Sequence, residues 1–450
     1  MASLRASSPI ALLLGALPFV ASTGCTGESA PPVPDTGAPQ VDAFVPPFVD
    51  AGPVGEIDAF VPTAQDAGLS SGVTYYGHLR PVIARHCQSC HVAGGVAPFP
   101  LTTYEEAALW GSRLVDVTRD RIMPPYLADN SGDCQTFRDA RWLTDAEIDT
   151  FRLWYEQGMQ MGDPATPPPD VTPPPRLTGS VTTLDIGVDY VPRAGVADDY
   201  RCFLVESPGG FVTGYDVHPG NPATVHHVIV YEPTDDGAGA EARANDAAEA
   251  GPGYTCYGGA GVNAFPVVLW APGGGATTFP RGTGVQIPSS RPLIVQIHYN
   301  VLAGMGADRT RVDIQTVGSA TPAYIVPLVN SSFNIPPRTP SYSSSDEQSL
   351  SVIPSGITLR AYGSFPHMHT LGTSLRVDRI SGGVTECLLD VPRWDFNWQL
   401  AYWYETPIRV TRSDAVRITC EWNSMTRDTA TRWGEGTEDE MCLNFFYVSL

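Results

Sequence analysis

A chain of 450 residues is long enough to build two or three separately cored domains. Acidic residues outnumber basic ones by 48 to 27, giving a formal net charge of −21, and every one of those basic residues is arginine. Such a surface repels phosphate backbones and anionic lipid at long range, which argues against nucleic acid as a partner and against electrostatic membrane binding.

At the N-terminus Arg5 precedes an apolar run through Ile10, Leu12, Leu13, Leu14, Leu17, Phe19 and Val20. The run is short for a membrane span and well placed for a signal peptide. It meets Ser22-Thr23-Gly24-Cys25, and small residues before a cysteine resemble the lipobox of bacterial lipoproteins. The expectation is a lipoprotein signal peptide over 1–25 and an exported protein, periplasmic or at the cell surface. It would be held to the membrane only through lipid on Cys25. Residues 26–70 are rich in Pro, Ala, Gly and Asp and contain the imperfect repeat Asp42-Ala43-Phe44-Val45-Pro46 and Asp58-Ala59-Phe60-Val61-Pro62. That composition cannot bury enough apolar surface to fold, and the segment reads as a disordered tether.

Residues 71–162 carry helical signals. Tyr76, Leu79, Val82 and Ile83 recur at helical spacing, Tyr104 to Val117 suits a second helix, and Leu143 to Gln157 a third. Thr144 and Glu147 form a capping-box pattern there, with Leu143 and Ile148 placed for a hydrophobic staple. Between these elements stands Cys87-Gln88-Ser89-Cys90-His91. In this pattern two thiols add to haem vinyl groups and the adjacent imidazole becomes an axial iron ligand. A thioredoxin-like pair would need a βαβ setting, and a zinc site a second Cys-x-x-Cys; neither is in the sequence. Met123, in Met123-Pro124-Pro125, is the candidate for the opposite axial position, with Met159 and Met161 as competitors. The stretch resembles a small cytochrome c domain.

Residues 163–176 include Pro167-Pro168-Pro169 and Pro173-Pro174-Pro175 and read as a semi-rigid polyproline spacer. Beyond it, short runs such as Val225 to Tyr231, Leu293 to Tyr299 and Val416 to Trp422 are rich in Val, Ile and aromatics and bounded by turn residues. An all-β sandwich architecture follows. Gly273-Gly274-Gly275 lacks the lysine and helix of a phosphate loop and reads as a turn.

Six histidines remain in this β-rich part, and five fall into His226-His227, His298 and His367-Met368-His369. His218 stands alone and reads as structural. Residues two apart in a strand share a face, so His367 and His369 can converge on one ion. Adjacent residues point to opposite faces, so His226 and His227 can share an ion only if the backbone distorts or the metal lies between them. A donor set of imidazoles and a thioether favours copper over structural zinc.

The motifs His226-His227, Gln296-Ile297-His298-Tyr299, His367-Met368-His369-Thr370-Leu371-Gly372 and Asp439-Glu440-Met441-Cys442 resemble, in order, those of the ascorbate-dependent type II copper monooxygenases, such as the peptidylglycine-hydroxylating and dopamine-hydroxylating enzymes. The resemblance implies two jelly-roll sandwiches, 177–322 and 323–450, facing each other across a solvent-filled cleft with one copper on each. His226, His227 and His298 match the ligands of the electron-transfer copper. His367, His369 and Met441 match those of the copper that binds dioxygen and attacks the substrate. It also implies disulfides Cys202–Cys256 and Cys420–Cys442, while Cys134 and Cys387 are left with their pairing open. An even set of six cysteines after Cys25 and the Cys87/Cys90 pair fits an oxidising compartment.

One departure bears on substrate. Peptide amidation needs a cation near the first histidine of the His-x-His motif, and an Asn and a Tyr just beyond the methionine. Here the neighbourhoods read Phe365-Pro366-His367 and Met441-Cys442-Leu443-Asn444-Phe445. A pocket without a buried cation cannot balance a carboxylate, so a small, more apolar molecule is expected. The sequence-level reading is a multidomain protein: a small all-α cytochrome c-like domain, then two all-β sandwiches. It would use dioxygen, two copper ions, one covalent haem c and ascorbate or another external electron donor to hydroxylate a small organic substrate. The competing reading is a non-catalytic, lipid-anchored haem and copper electron carrier.

Overall fold

Thr74 caps a π-helical turn, Tyr75–Leu79, its side chain accepting from the Gly77 amide. The computed structural model describes residues 72–95, 97–170, 175–301 and 304–450; the expected signal peptide with Cys25 and the tether 26–70 lie outside them. Helix α1, Arg80–His86, follows the π turn directly. The second expected helix is two, α2 at Tyr104–Leu109 and α3 at Gly111–Arg119. The break falls at Trp110, and Gly111 there lies so close to Met159 that a Cβ would stand 2.5 Å from its sulfur. Met159, one of the candidate haem ligands, is thus packed in the helical core. Helix α4, Asp145–Glu156, has the expected capping box, and Leu143 and Ile148 meet in one apolar cluster with Tyr75, Ile83, Phe151 and Trp154. Among the described residues, no helix is long and apolar enough to cross a membrane.

The rest is mostly β. A five-stranded sheet runs Tyr254–Thr255, Asp198–Val205, Leu293–Asn300, Val225–Pro233, Ala264–Trp270. A four-stranded sheet runs Tyr342–Ser349, Ala415–Trp422, Gly372–Ser381, Val384–Val391. Between them lies one nine-stranded sheet. Its path is Val181–Asp185, Arg311–Val317, Gly210–His218, Thr283–Ile287, Thr321–Val329, Leu443–Ser449, Thr358–His367, Tyr402–Thr411, with Thr277–Thr278 added at Gly210–His218. The first half of this path packs on the five-stranded sheet through Val212, Tyr215, Val228, Val230, Ile297 and Val312. The second half packs on the four-stranded sheet through Ala361, Leu375, Val377, Ile408, Ile418 and Val448. The strand Thr321–Val329 links the halves, parallel to Thr283–Ile287 and antiparallel to Leu443–Ser449. A helix the sequence reading did not foresee, α5 at Asp236–Ala248, is capped by Asp235.

Part of the segment between α3 and α4 does not pack with the helices. Tyr126, Leu127, Ala128 and Phe137 are buried in the core of the second sandwich, where Phe137 forms a bridge to Tyr404. The three disulfides are Cys202–Cys256, Cys420–Cys442 and Cys134–Cys387. The first two are the pairs the family resemblance implies; the third staples this inserted segment to the four-stranded sheet. It closes a loop of 253 residues, so the double change Cys134→Ser, Cys387→Ser should cost roughly 2–5 kcal/mol, seen as a lower urea midpoint. An unchanged midpoint would mean that burial of Tyr126 and Phe137 alone fixes the segment.

Candidate metal centre

Two histidines next to each other on one strand can converge only where the strand is irregular. The register of Val225–Pro233 against Leu293–Asn300 shifts between Val225 and His227, the local distortion the sequence requires. The outcome is that His226 Nδ1 and His227 Nδ1 lie 3.4 Å apart. On the neighbouring strand His298 stands directly opposite His227, with its Nδ1 buried and without a hydrogen-bond partner. The three residues offer ligand nitrogens all within 4.8 Å of one another. Nitrogens about 2 Å from a shared ion are separated by about this much, so the set fits a metal.

The opposite ring nitrogen of His298 is fixed. Its Nε2 is 2.8 Å from Asp198 Oδ1, which fits an imidazole presenting Nδ1 as a lone pair. Tyr200 stacks flat on the same ring at 4.0 Å. Burial works to raise the Asp198 carboxyl, yet hydrogen bonds from His298 and Thr437 hold it down at about 2. Those from Thr437 come from its amide at 2.9 Å and its hydroxyl at 2.6 Å, so Asp198 also ties the histidine set to the loop leading into Met441.

The second set forms differently from the strand argument. The strand Thr358–His367 ends at His367, and His369 lies in the turn beyond it. The buried Glu440 carboxylate holds that turn, accepting from the amides of His369 at 3.0 Å, Leu371 at 2.6 Å and Met441 at 3.3 Å, and from Trp422 Nε1 at 3.0 Å. One carboxylate thereby brings His369 and Met441 together. Burial pushes Glu440 up to about 7 against these bonds. The His367 and His369 rings are 5.1 Å apart. His367 Nδ1 meets Gln399 Oε1 at 2.5 Å and His369 Nδ1 meets the Asp439 carbonyl at 3.1 Å, so both can present Nε2. Met441 is buried, and its amide donates to the same Glu440 carboxylate that holds the His369 turn.

Burial lowers all five imidazoles, His367 to about 4 and His369 to about 3, and keeps them neutral and ready to donate lone pairs at pH 7. The two histidine sets stand side by side and not apart across a cleft. The rings of His227 and His367 are 6.0 Å apart, and Phe396 stacks on His226 at 4.3 Å. His218 is exposed and 3.2 Å from Asp313, away from both sets, as a structural histidine would be.

In the helical part Cys87 and Cys90 are free, unlike the six bonded cysteines. His91 Nδ1 is 2.9 Å from the Phe99 carbonyl, which frees Nε2 for an axial bond. Met123 lines a pocket with Thr118, Tyr126, Arg141 and Trp142, and Arg141 also reaches Cys90 Sγ at 4.0 Å. Free thiols, an imidazole and a thioether are the donor types a covalent haem would use. Gln399, Phe396, Asp198, Thr437 and Glu440 escaped the sequence reading; of these only Glu440, inside a quoted motif, carried any signal.

Fold and site together define a β-sandwich protein with one three-histidine group suited to a metal and a second histidine pair beside it. Residues 313–448 match the copper type II ascorbate-dependent monooxygenase, C-terminal domain. The chain is 24% identical over 359 residues to a tyramine beta-hydroxylase from Caenorhabditis briggsae, covering 72% of this chain and 56% of that protein. It is 26% identical over 310 residues to dopamine beta-hydroxylase from Bos taurus, covering 61% and 48%. Among solved structures, the major capsid protein P2 from bacteriophage PM2 aligns over 60% of this chain and 97% of its own at a TM-score of 0.26 and 9% identity. The family match and these relatives are all to copper monooxygenases, and the family match lies in the second sandwich, where His367, His369 and Met441 stand. The chain spans about half the length of the curated relatives it matches.

If Asp198 orients His298, Asp198→Asn should weaken copper binding about 10–100-fold, measured by chelator competition, while His218→Ala leaves it unchanged. Equal affinities in all three proteins would remove Asp198 from that role.

Proposed function

We propose that the chain hydroxylates a C–H bond of a small organic substrate with dioxygen, using two copper ions, and that a covalently attached c-type haem supplies the electrons. The observation that carries the reading is two histidine sets side by side: three imidazoles whose ligand nitrogens lie within 4.8 Å of one another, and the His367–His369 pair 5.1 Å apart, with the rings of His227 and His367 at 6.0 Å. His226, His227 and His298 would hold the electron-transfer copper; His367, His369 and Met441 would hold the copper that meets dioxygen. Copper supplies one-electron redox chemistry and dioxygen binding there, and the thioether favours the reduced ion. The protein's own part is orientation. Asp198, Gln399 and the Asp439 carbonyl each engage one ring nitrogen, and Glu440 sets the turn that joins His369 to Met441.

The relatives named for tyramine and dopamine act on small amines, and a net charge of −21 draws a cation towards the molecule rather than an anion. The missing carboxylate clamp supports the same direction. Cys87, Cys90, His91 and Met123 would hold the haem, re-reduced by ascorbate or another external donor. Tethering the donor to the acceptor raises its effective concentration, which gives the fusion a physical purpose. Export and anchoring through Cys25 complete the proposal.

Met441→Ala should weaken Cu(I) binding by about tenfold or more while sparing Cu(II), because sulfur prefers the softer ion, and should abolish product formation. Product at the wild-type rate would remove Met441 from the oxygen-binding site. Cys87→Ala with Cys90→Ala should abolish haem that survives denaturation, and Met123→Ala the sulfur-to-iron charge-transfer band of the oxidised protein; an unchanged band would point to another ligand. Cys25→Ser should move the protein from the membrane to the soluble fraction.

A further inference from the structure

One segment touches both the helical part and the two histidine sets. Within Arg393–Leu400, Phe396 stacks on His226 at 4.3 Å with an interplanar angle of 18°. Gln399 Oε1 lies 2.5 Å from His367 Nδ1, and its amide nitrogen donates to the Phe396 carbonyl at 2.9 Å. Trp394 donates through Nε1 to the His369 carbonyl at 3.2 Å. Three residues of one segment thus bear on three of the five histidines.

Its other side faces the haem motif. Trp398 lies on Gly273 so closely that a Cβ there would stand 2.6 Å from the indole, which explains a glycine at this turn, whose φ of +85° also suits one. Arg141, from the segment before α4, donates to the Gly273 carbonyl at 3.4 Å and reaches Cys90 Sγ at 4.0 Å. Cys90 Sγ is the atom that would carry a thioether to the haem. Arg393 donates to the Arg121 carbonyl at 2.5 Å, close to Met123 in sequence. The contacts run without a gap from Cys90 through Arg141 and Gly273 to Trp398, and along the segment to Phe396 and His226.

We infer that Arg393–Leu400 is the electron bridge of this protein, with Trp398 receiving from the haem side through Arg141 and Gly273, and Phe396 delivering to His226. The inference rests on the haem and copper reading above. In each transfer one electron leaves ferrous haem, which becomes ferric, and enters Cu(II), which becomes Cu(I). No bond is made or broken, and the external donor restores the ferrous haem. Two transfers supply one hydroxylation. Gln399 and Trp394 are positioning residues that hold the segment in register with the histidines. A rigid contact chain suits this task because the Cys134–Cys387 bridge and the burial of Phe137 fix the inserted segment on the sandwich.

The test uses the full chain loaded with haem and Cu(II), without dioxygen or substrate, so that the readout is transfer and not turnover. A flash donates one electron to the haem; loss of the ferrous band and of the Cu(II) paramagnetic signal are followed together. Trp398→Leu and Phe396→Leu should slow both by about tenfold or more, while reduction of the copper by free ascorbate stays within about twofold of wild type. Arg141→Gln, which removes the guanidinium contacts to Gly273 and Cys90 and leaves both aromatic rings in place, should slow transfer in the same sense and decides the matter if an aromatic variant misfolds. Wild-type transfer in the variants would overturn the bridge, as would an equal loss of ascorbate reduction, since that marks a distorted copper site. Ferrous haem that persists in the wild type beside Cu(II) would instead contradict the haem supply itself, and the bridge with it.

Discussion

A sheet that belongs to two sandwiches at once holds them in one register, and the metal centre depends on that constraint. The strand Thr321–Val329 hydrogen-bonds to strands of both halves, and Tyr447 from the second half meets Thr283 from the first at 2.8 Å in the shared interior. The sandwiches therefore meet along a seam and do not face each other as separate bodies. Five imidazoles from both halves end in ring contact, with Asp198 of the first half hydrogen-bonded to Thr437 of the second.

Crowding neutral imidazoles in a dry site has a cost that explains the surrounding carboxylates. Unpaired buried nitrogens are expensive, and in three of the imidazoles the ring nitrogen that faces away from a metal position has a partner. Asp198 serves His298, Gln399 serves His367, and a backbone carbonyl serves His369. Glu440 works on the backbone, where its carboxylate accepts four N–H groups and sets the turn after the strand. Binding positions and their supports were thus built together. His298 Nδ1, buried and without a hydrogen-bond partner, is a nitrogen that an ion would satisfy.

The ligand residues were legible in the sequence because metal chemistry restricts them to few residue types at short spacings. His226-His227 even announced the strand irregularity, since no regular strand could aim both rings at one ion. The Thr144–Glu147 capping box was legible for the same local reason. Asp198, Phe396 and Gln399 were not legible: each acts on a histidine 32 to 170 positions away, and their residue types are common in loops. The His369 geometry was read from strand periodicity, whereas a carboxylate 71 positions away sets it. The closed contact between the sandwiches was hidden for a related reason, because the strand order that makes one sheet of two is a property of pairing, not of any segment.

The central claim is that the two donor sets form one compact cluster. The most direct measurement is the paramagnetic resonance of the fully oxidised protein holding two Cu(II) ions. Ions on donor sets in ring contact interact magnetically, so the account predicts dipolar splitting with a half-field transition. Both features should be lost in His298→Ala. Two independent, unsplit Cu(II) signals at full copper occupancy would show that the sets stand apart across an open cleft, and would contradict the account.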